Sequence, residues 1–323
     1  MSHHPDPDTA VTTSLSRPPS KGDILFDKSF RWLTLAFTWA TIFLLGYIAF
    51  KIGGQALPAV AQYGLTFLTT TTWDVNAGQF GILPEIWGTL YSSFLALIFG
   101  GFFGVSVAIF LTQDFLPRSV ELVLKNLIEL LAAIPSVVYG LWGIYVLIPL
   151  IRPLAESLHT TFGWIPFFST SLSGPGMFPA AIVLSIMILP TVAAISQDAL
   201  RSIPHKTKEA AFGMGTTRWE AILRVMLPTA SGGIFGALVL GFGRALGETM
   251  ALAMLVGNSN QISLSVFAPA NTLAALLALN FPEAGPHEAS VLMYAACVLL
   301  LITLLVNIAG AALITYMGPG GRK

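Results

Sequence analysis

Six long apolar runs punctuate the chain, at 32–50, 86–111, 130–151, 178–196, 229–257 and 290–317. A helix needs roughly 20 apolar residues to cross about 30 Å of hydrocarbon, so each run predicts one membrane span. Lipid offers no partner to backbone N–H and C=O groups, which confines a span to a helix or a closed barrel. No run alternates apolar with polar residues as a barrel strand does. The pattern therefore predicts an all-α integral membrane protein with six transmembrane helices. Only the fifth run holds charge deep inside, at Arg244 and Glu248.

Composition agrees. Of 323 residues, 54% are hydrophobic and 10% charged, where a soluble domain is about 25% charged. The 16 bases balance the 16 acids, so no net basic field gathers nucleic acid. Cys297 is the only cysteine and cannot form an internal disulfide. It lies in the sixth run and reads as packing. The bases orient the spans. Arg17, Lys21, Lys28 and Arg31 precede the first run, and Arg118 and Lys125 separate the second from the third. Arg201, Lys206, Lys208, Arg218 and Arg224 separate the fourth from the fifth, and Arg322 and Lys323 end the chain. The opposite side has only Lys51 and Arg152. Cytoplasmic segments carry such an excess, so both termini are expected in the cytoplasm.

The first run is 19 residues long, beyond the roughly 7–15-residue apolar core of a cleavable signal, and is read as a retained helix. Residues 1–29 are rich in Pro, Ser, Thr and Asp and are expected to be a disordered cytoplasmic tail. His3 and His4 there read as solvated coil rather than metal ligands. Residues 30–85 then form the first helix with an outer loop, 86–317 the main transmembrane domain, and 318–323 a cytoplasmic C-terminus. The outer loops, 51–85, 152–177 and 258–289, hold aromatics, Gly and Pro with few charges. They suit either a mouth that docks a partner or loops packed on their own helices.

The inner loop 197–228 reads QDALRSIPHKTKEAAFGMGTTRWEAILRVMLP. Pro204 suits a first helical turn with Ser202 as its cap, and a helix continues through Lys208 to Ala211. Gly213 and Gly215 break it. Thr217-Arg218-Trp219-Glu220 has the form of a capping box and opens a second helix with an apolar stripe of Trp219, Ile222, Leu223 and Met226. Such a hairpin is either a lever offered to a soluble partner or an interfacial loop.

Here the sequence resembles ABC importer permeases, whose signature is E-A-A, three residues, G, nine residues, then I-x-L-P. It stands as Glu209-Ala210-Ala211, Gly215 and Val225-Met226-Leu227-Pro228, with Val225 in place of Ile. Residues 132–143, AAIPSVVYGLWG, and 243–258, GRALGETMALAMLVGN, look like the phosphate-uptake branch and its PstC-type chain. The resemblance implies a type I importer permease fold in the bacterial cytoplasmic membrane, with Glu209, Ala210, Ala211 and Gly215 coupling to an ATPase. It also implies a PstA-type second permease, a pair of ATPase subunits and an extracytoplasmic phosphate-binding protein. The implied activity is phosphate translocation by alternating access, with no catalysis, cofactor or metal on this chain. Phosphate rests on the resemblance alone. A permease for another oxyanion or small solute, a secondary transporter or channel, and a membrane-embedded enzyme are the alternatives.

A lone charge at mid-bilayer costs roughly 2.5–3.5 kcal/mol by insertion scales. In a continuous helix Arg244 and Glu248 stand at i and i+4 and can pair. Ala237, Gly241, Ala251 and Leu255 share their face and leave room for a passage. Gly232, Gly236, Gly243 and Gly247 let a helix approach on the adjacent face. The pair reads as a translocation-pathway site, against a structural ion pair. The resembling branch carries Arg and Glu at this spacing. In the third span, Glu121, Lys125 and Glu129 read as a solvated stripe. Pro135 and Gly140 are expected to bend the helix, with Ser136 and Tyr139 facing inward, and Pro190 gives the fourth span a similar yielding point. The chain lacks G-x-x-x-x-G-K-[ST], H-E-x-x-H and G-x-S-x-G, and no histidine lies in the six apolar runs. No internal repeat favours an inverted-repeat transporter.

Overall fold

A computed structural model describes residues 20–113 and 115–317. Six helices in it are long and apolar enough to cross a membrane. The chain divides into two units at Lys51 and Ile52. From residue 20 to 51, within helix α1 (Lys21–Tyr63), every side chain is exposed. The helix starts at Lys21, so residues 21–29 are helical rather than part of a disordered tail. Ser20 begins it: its hydroxyl accepts from the Asp23 N–H (3.2 Å), and the Asp23 carboxylate accepts from the Ser20 N–H (3.0 Å). Residues 1–19 and 318–323, with His3 and His4, lie outside the described residues.

In the second unit α1 continues to Tyr63, shortening the expected first outer loop. A two-stranded hairpin follows, β1 (Trp73–Asp74) on β2 (Gln79–Phe80). The Asp74 carboxylate accepts from the Asn76 and Ala77 N–H groups and fixes its turn. Helix α2 (Leu83–Thr112) then crosses against α6 (Met177–Arg201), the most buried span. Glycine makes that approach close. A Cβ at Gly100 would lie 2.7 Å from the Ser185 carbonyl, and one at Gly104 would lie 2.9 Å from Val192.

Between these helices the third span departs from expectation. Proline disfavours α conformation in the residue before it, and Ile134 is extended (ψ 127°). The stripe Glu121–Lys125–Glu129 therefore belongs to a separate amphipathic helix, α3 (Arg118–Ala133), which has no buried residue. The span proper is α4 (Ser136–Trp142), a π-helical turn (Gly143–Leu147) and α5 (Ile148–Phe162). Tyr139 turns inward, and its hydroxyl donates to the Leu131 carbonyl (2.8 Å).

Beyond α6 come two short helices, α7 (His205–Gly213) and α8 (Arg218–Ala221), a π-helical turn (Ile222–Met226) and α9 (Leu227–Leu246). Ala108, Leu200, Ile203, Ala211, Ile222 and Met226 form a common core that joins the hairpin to the C-terminal ends of α2 and α6. Next are α10 (Met250–Leu255), α11 (Leu273–Asn280) and α12 (Pro286–Met317). Residues 265–276 of the third outer loop are buried apart from Pro269, so this stretch packs on the chain's own helices.

Candidate functional site

Span five breaks in the middle of the predicted charged pair. Arg244 lies in the last turn of α9, which ends at Leu246. Gly247 and Thr249 leave regular geometry, and α10 restarts at Met250. The i, i+4 geometry is lost, and Arg244 and Glu248 form no ion pair. Among the described residues the ion pairs are Lys125–Glu129 (3.9 Å) and Arg201–Glu121 (3.8 Å). Arg244 Nη1 instead donates to Thr191 Oγ1 (2.9 Å), one residue past Pro190 of α6. Glu248 Oε1 accepts from the Ala251 N–H (3.3 Å), so the carboxylate caps the restarted helix. Arg244 is exposed and Glu248 half-buried. An exposed guanidinium at the depth of an apolar span belongs against water or another protein rather than lipid.

The expected passage beside small residues is also corrected. Ala237, Gly241, Ala251 and Leu255 are all buried, and a Cβ at Gly241 would lie 2.7 Å from Val192 of α6. That face is a helix–helix seam. The adjacent glycine face behaves closer to expectation. Gly236 and Gly243 face Ile314 and Asn307 of α12, while Gly232 has no neighbour within 4 Å.

A strap holds the restarted helix to the N-terminal end of α2. Gly257 (φ 101°) and Asn258 (φ 46°) turn the chain, and Gly257 bridges to Ala270. The Asn271 side chain donates to Asn258 (3.1 Å), and Thr89 Oγ1 accepts from the Leu273 N–H (2.9 Å). Trp87 and Tyr91 donate to the carbonyls of Ser263 and Leu264. Glu85 is fully buried in the first turn of α2, and neither carboxyl oxygen has a hydrogen-bond partner. Thr191, Thr89, Asn271 and Glu85 were not singled out by sequence. Thr191 follows a mid-span proline, and Glu85 lies one residue outside the second apolar run; those were the available signals.

The inner hairpin matches its expected outline. Gly215 has φ 80°, a left-handed conformation that side chains resist. Open space surrounds its Cα, so conformation rather than crowding requires glycine. The capping box is complete: Thr217 Oγ1 accepts from the Glu220 N–H (3.3 Å), and Glu220 accepts from the Thr217 N–H (2.9 Å) and hydroxyl (2.8 Å). Glu209 and Ala210 are exposed while Ala211 is buried, so the motif's outer edge is free and its inner edge is anchored. Two expectations fail here. The Ser202 hydroxyl donates back to the Ala199 carbonyl instead of capping α7. The apolar stripe divides: Ile222 and Met226 are buried, while Trp219 and Leu223 are exposed and Trp219 stacks on Phe115.

Residues 100–319 match the family model described as Binding-protein-dependent transport system inner membrane component. The Phosphate transport system permease protein PstC of Mesorhizobium japonicum is 38% identical over 87% of this chain and 88% of its own length. Its counterpart in Haemophilus influenzae is 37% identical, covering 89% and 93%. The Probable phosphate transport system permease protein PstC of Methanocaldococcus jannaschii is 35% identical, covering 83% and 86%. A solved bacterial alginate ABC transporter aligns with TM-score 0.59 at 17% identity over 88% of this chain and 94% of that one. The inward-facing MetNI methionine ABC transporter aligns with TM-score 0.56 at 18% identity over 73% and 95%. The shared fold is that of type I ABC importer permeases.

Proposed function

The chain belongs to the binding-protein-dependent transport system inner membrane components, within the PstC group of phosphate transport system permeases. From that premise we propose that it is the membrane subunit of an ATP-driven importer that carries inorganic phosphate into the cytoplasm. It is a multi-pass protein of the inner membrane. A PstA-type second permease completes the pathway, two ATPase subunits dock on the hairpin through Glu209, Ala210, Ala211 and Gly215, and an extracytoplasmic phosphate-binding protein delivers the ion. Both termini lie in the cytoplasm, as the Lys and Arg distribution favours. The chain itself catalyses nothing, and ATP is hydrolysed by its partners.

The observation that carries this reading is the exposed Arg244 beside the broken helix, held at one nitrogen by Thr191. Its remaining N–H donors are available to an oxyanion. Glu248, occupied with α10, leaves that guanidinium uncompensated yet remains close in sequence. A pathway must also release its ion, which a guanidinium already shared with Thr191 allows. ATP binding closes the ATPase dimer and shifts the permease between its two openings, because the states differ in their affinity for ATP. The hairpin, packed on α2 and α6 through Ile222 and Met226, carries the displacement.

The test is uptake by the assembled importer in proteoliposomes. Arg244→Ala abolishes phosphate uptake while the permease still assembles and binds its ATPase. Normal uptake by this variant refutes the pathway role.

A further inference from the structure

At the joint between the inner end of α2 and the hairpin lies a cavity of about 260 Å³. Thr112 and Gln113 line it from α2, His205, Lys208 and Glu209 from α7, and Arg218 from the start of α8. Its floor is fixed by Ile222 and Met226, both buried in the inner core. Three basic side chains from two helices thus face one carboxylate across a small cavity. Lys208 and Arg218 make no ion pair among the described residues. Helix α7 starts at the rim behind Pro204, without a side-chain cap; the Thr207 N–H donates to the Pro204 carbonyl (3.0 Å), which leaves the His205 and Lys206 N–H groups available. Basic side chains and open helix N–H groups are the donors that recognise phosphate oxygens.

We propose that this cavity binds a phosphate group and that its occupancy restrains ATPase coupling. The inference rests on the importer reading, in which the hairpin faces the cytoplasm and Glu209 contacts the ATPase. A phosphate drawn to Lys208 and Arg218 shares the cavity with Glu209. Like-charge repulsion across so short a space displaces the carboxylate that the ATPase meets. Phosphate arriving in the cytoplasm then slows further uptake. Inorganic phosphate and the headgroup phosphate of an anionic lipid offer the same chemistry, and the test separates them.

The full importer, without its binding protein, is placed in nanodiscs of phosphatidylcholine, and ATP turnover is followed by ADP release as inorganic phosphate is added at constant ionic strength. Turnover falls with phosphate, and Lys208→Gln and Arg218→Gln each raise the half-inhibiting concentration about tenfold, the loss of one charge-assisted hydrogen bond. Inhibition persists in Arg244→Ala, which separates this cavity from the translocation site. Failure of the importer reading abolishes phosphate uptake by the wild type, whereas failure of this inference leaves uptake intact and removes only the inhibition. A second arm adds phosphatidylglycerol without free phosphate. If turnover responds only there, and both glutamine variants lose the response, the bound group is a lipid headgroup. Equal half-inhibition in wild type and both variants overturns the proposal, as does indifference to phosphate and to phosphatidylglycerol. Should the glutamine variants fail to assemble, equilibrium dialysis of labelled phosphate against the Arg244→Ala importer in phosphatidylcholine decides. Absence of saturable binding there, together with no response of turnover to phosphatidylglycerol, overturns the proposal.

Discussion

The break in span five and the inner hairpin each place a glycine beside a carboxylate that bonds the start of a helix, yet they are held in opposite ways. In the hairpin the turn and the cap are local. Gly215 supplies φ 80°, and Thr217 and Glu220 close the capping box three residues apart. At the break Gly247 has φ −93°, a conformation open to any residue. Glu220 reaches back from inside α8 to Thr217, whereas Glu248 lies ahead of α10 and accepts from its Ala251 N–H, and the break is kept open from a distance. Thr191 of α6 takes Arg244, and the strap ties the restarted helix to α2. The hairpin's turn is held by its own adjacent residues, whereas the break is held by contacts that a change in packing can release.

Substitutions at each place test that difference. The largest effect is expected at Gly241. A Cβ there already lies 2.7 Å from Val192, so Gly241→Leu forces α9 away from α6 at a cost of about 1–3 kcal/mol or more. The permease should melt earlier in detergent and fail to transport; an unchanged melting temperature would mean the seam is loose. Gly215→Ala places a side chain in left-handed geometry at a cost of roughly 1–2 kcal/mol. The span bundle should stay intact while phosphate transported per ATP falls. Thr217→Ala removes the cap for about 1 kcal/mol and should give a smaller loss of the same kind, with Thr217→Ser restoring it. If both hairpin variants couple normally, the hairpin does not bear the load.

These contrasts also explain what could be read beforehand. The six spans were legible because hydrocarbon imposes length and apolarity on every crossing helix. The capping box and Gly215 were legible because a cap is a matter of three adjacent residues. The Arg244–Glu248 pairing was misread because i, i+4 spacing implies contact only in an unbroken helix, and nothing local marks Gly247 as the end. The small-residue face was read as room, but Gly241 meets α6, a contact between residues far apart in sequence. Pro135 was recognised as a bend, although its effect is a full separation of α3 from α4. Lys21–Ser29 looked disordered by composition, yet the Ser20–Asp23 cap starts a helix there.

The separate roles of Arg244 and Glu248 are tested most directly by exchanging them, with Arg244→Glu and Glu248→Arg in one chain and phosphate uptake measured in proteoliposomes of the assembled importer. If Arg244 serves the ion and Glu248 serves α10, the exchanged chain places a carboxylate where the guanidinium was needed and transports nothing. Recovery of uptake in the double exchange, from two inactive single variants, would show that the two charges work as a pair and would contradict the broken-helix site.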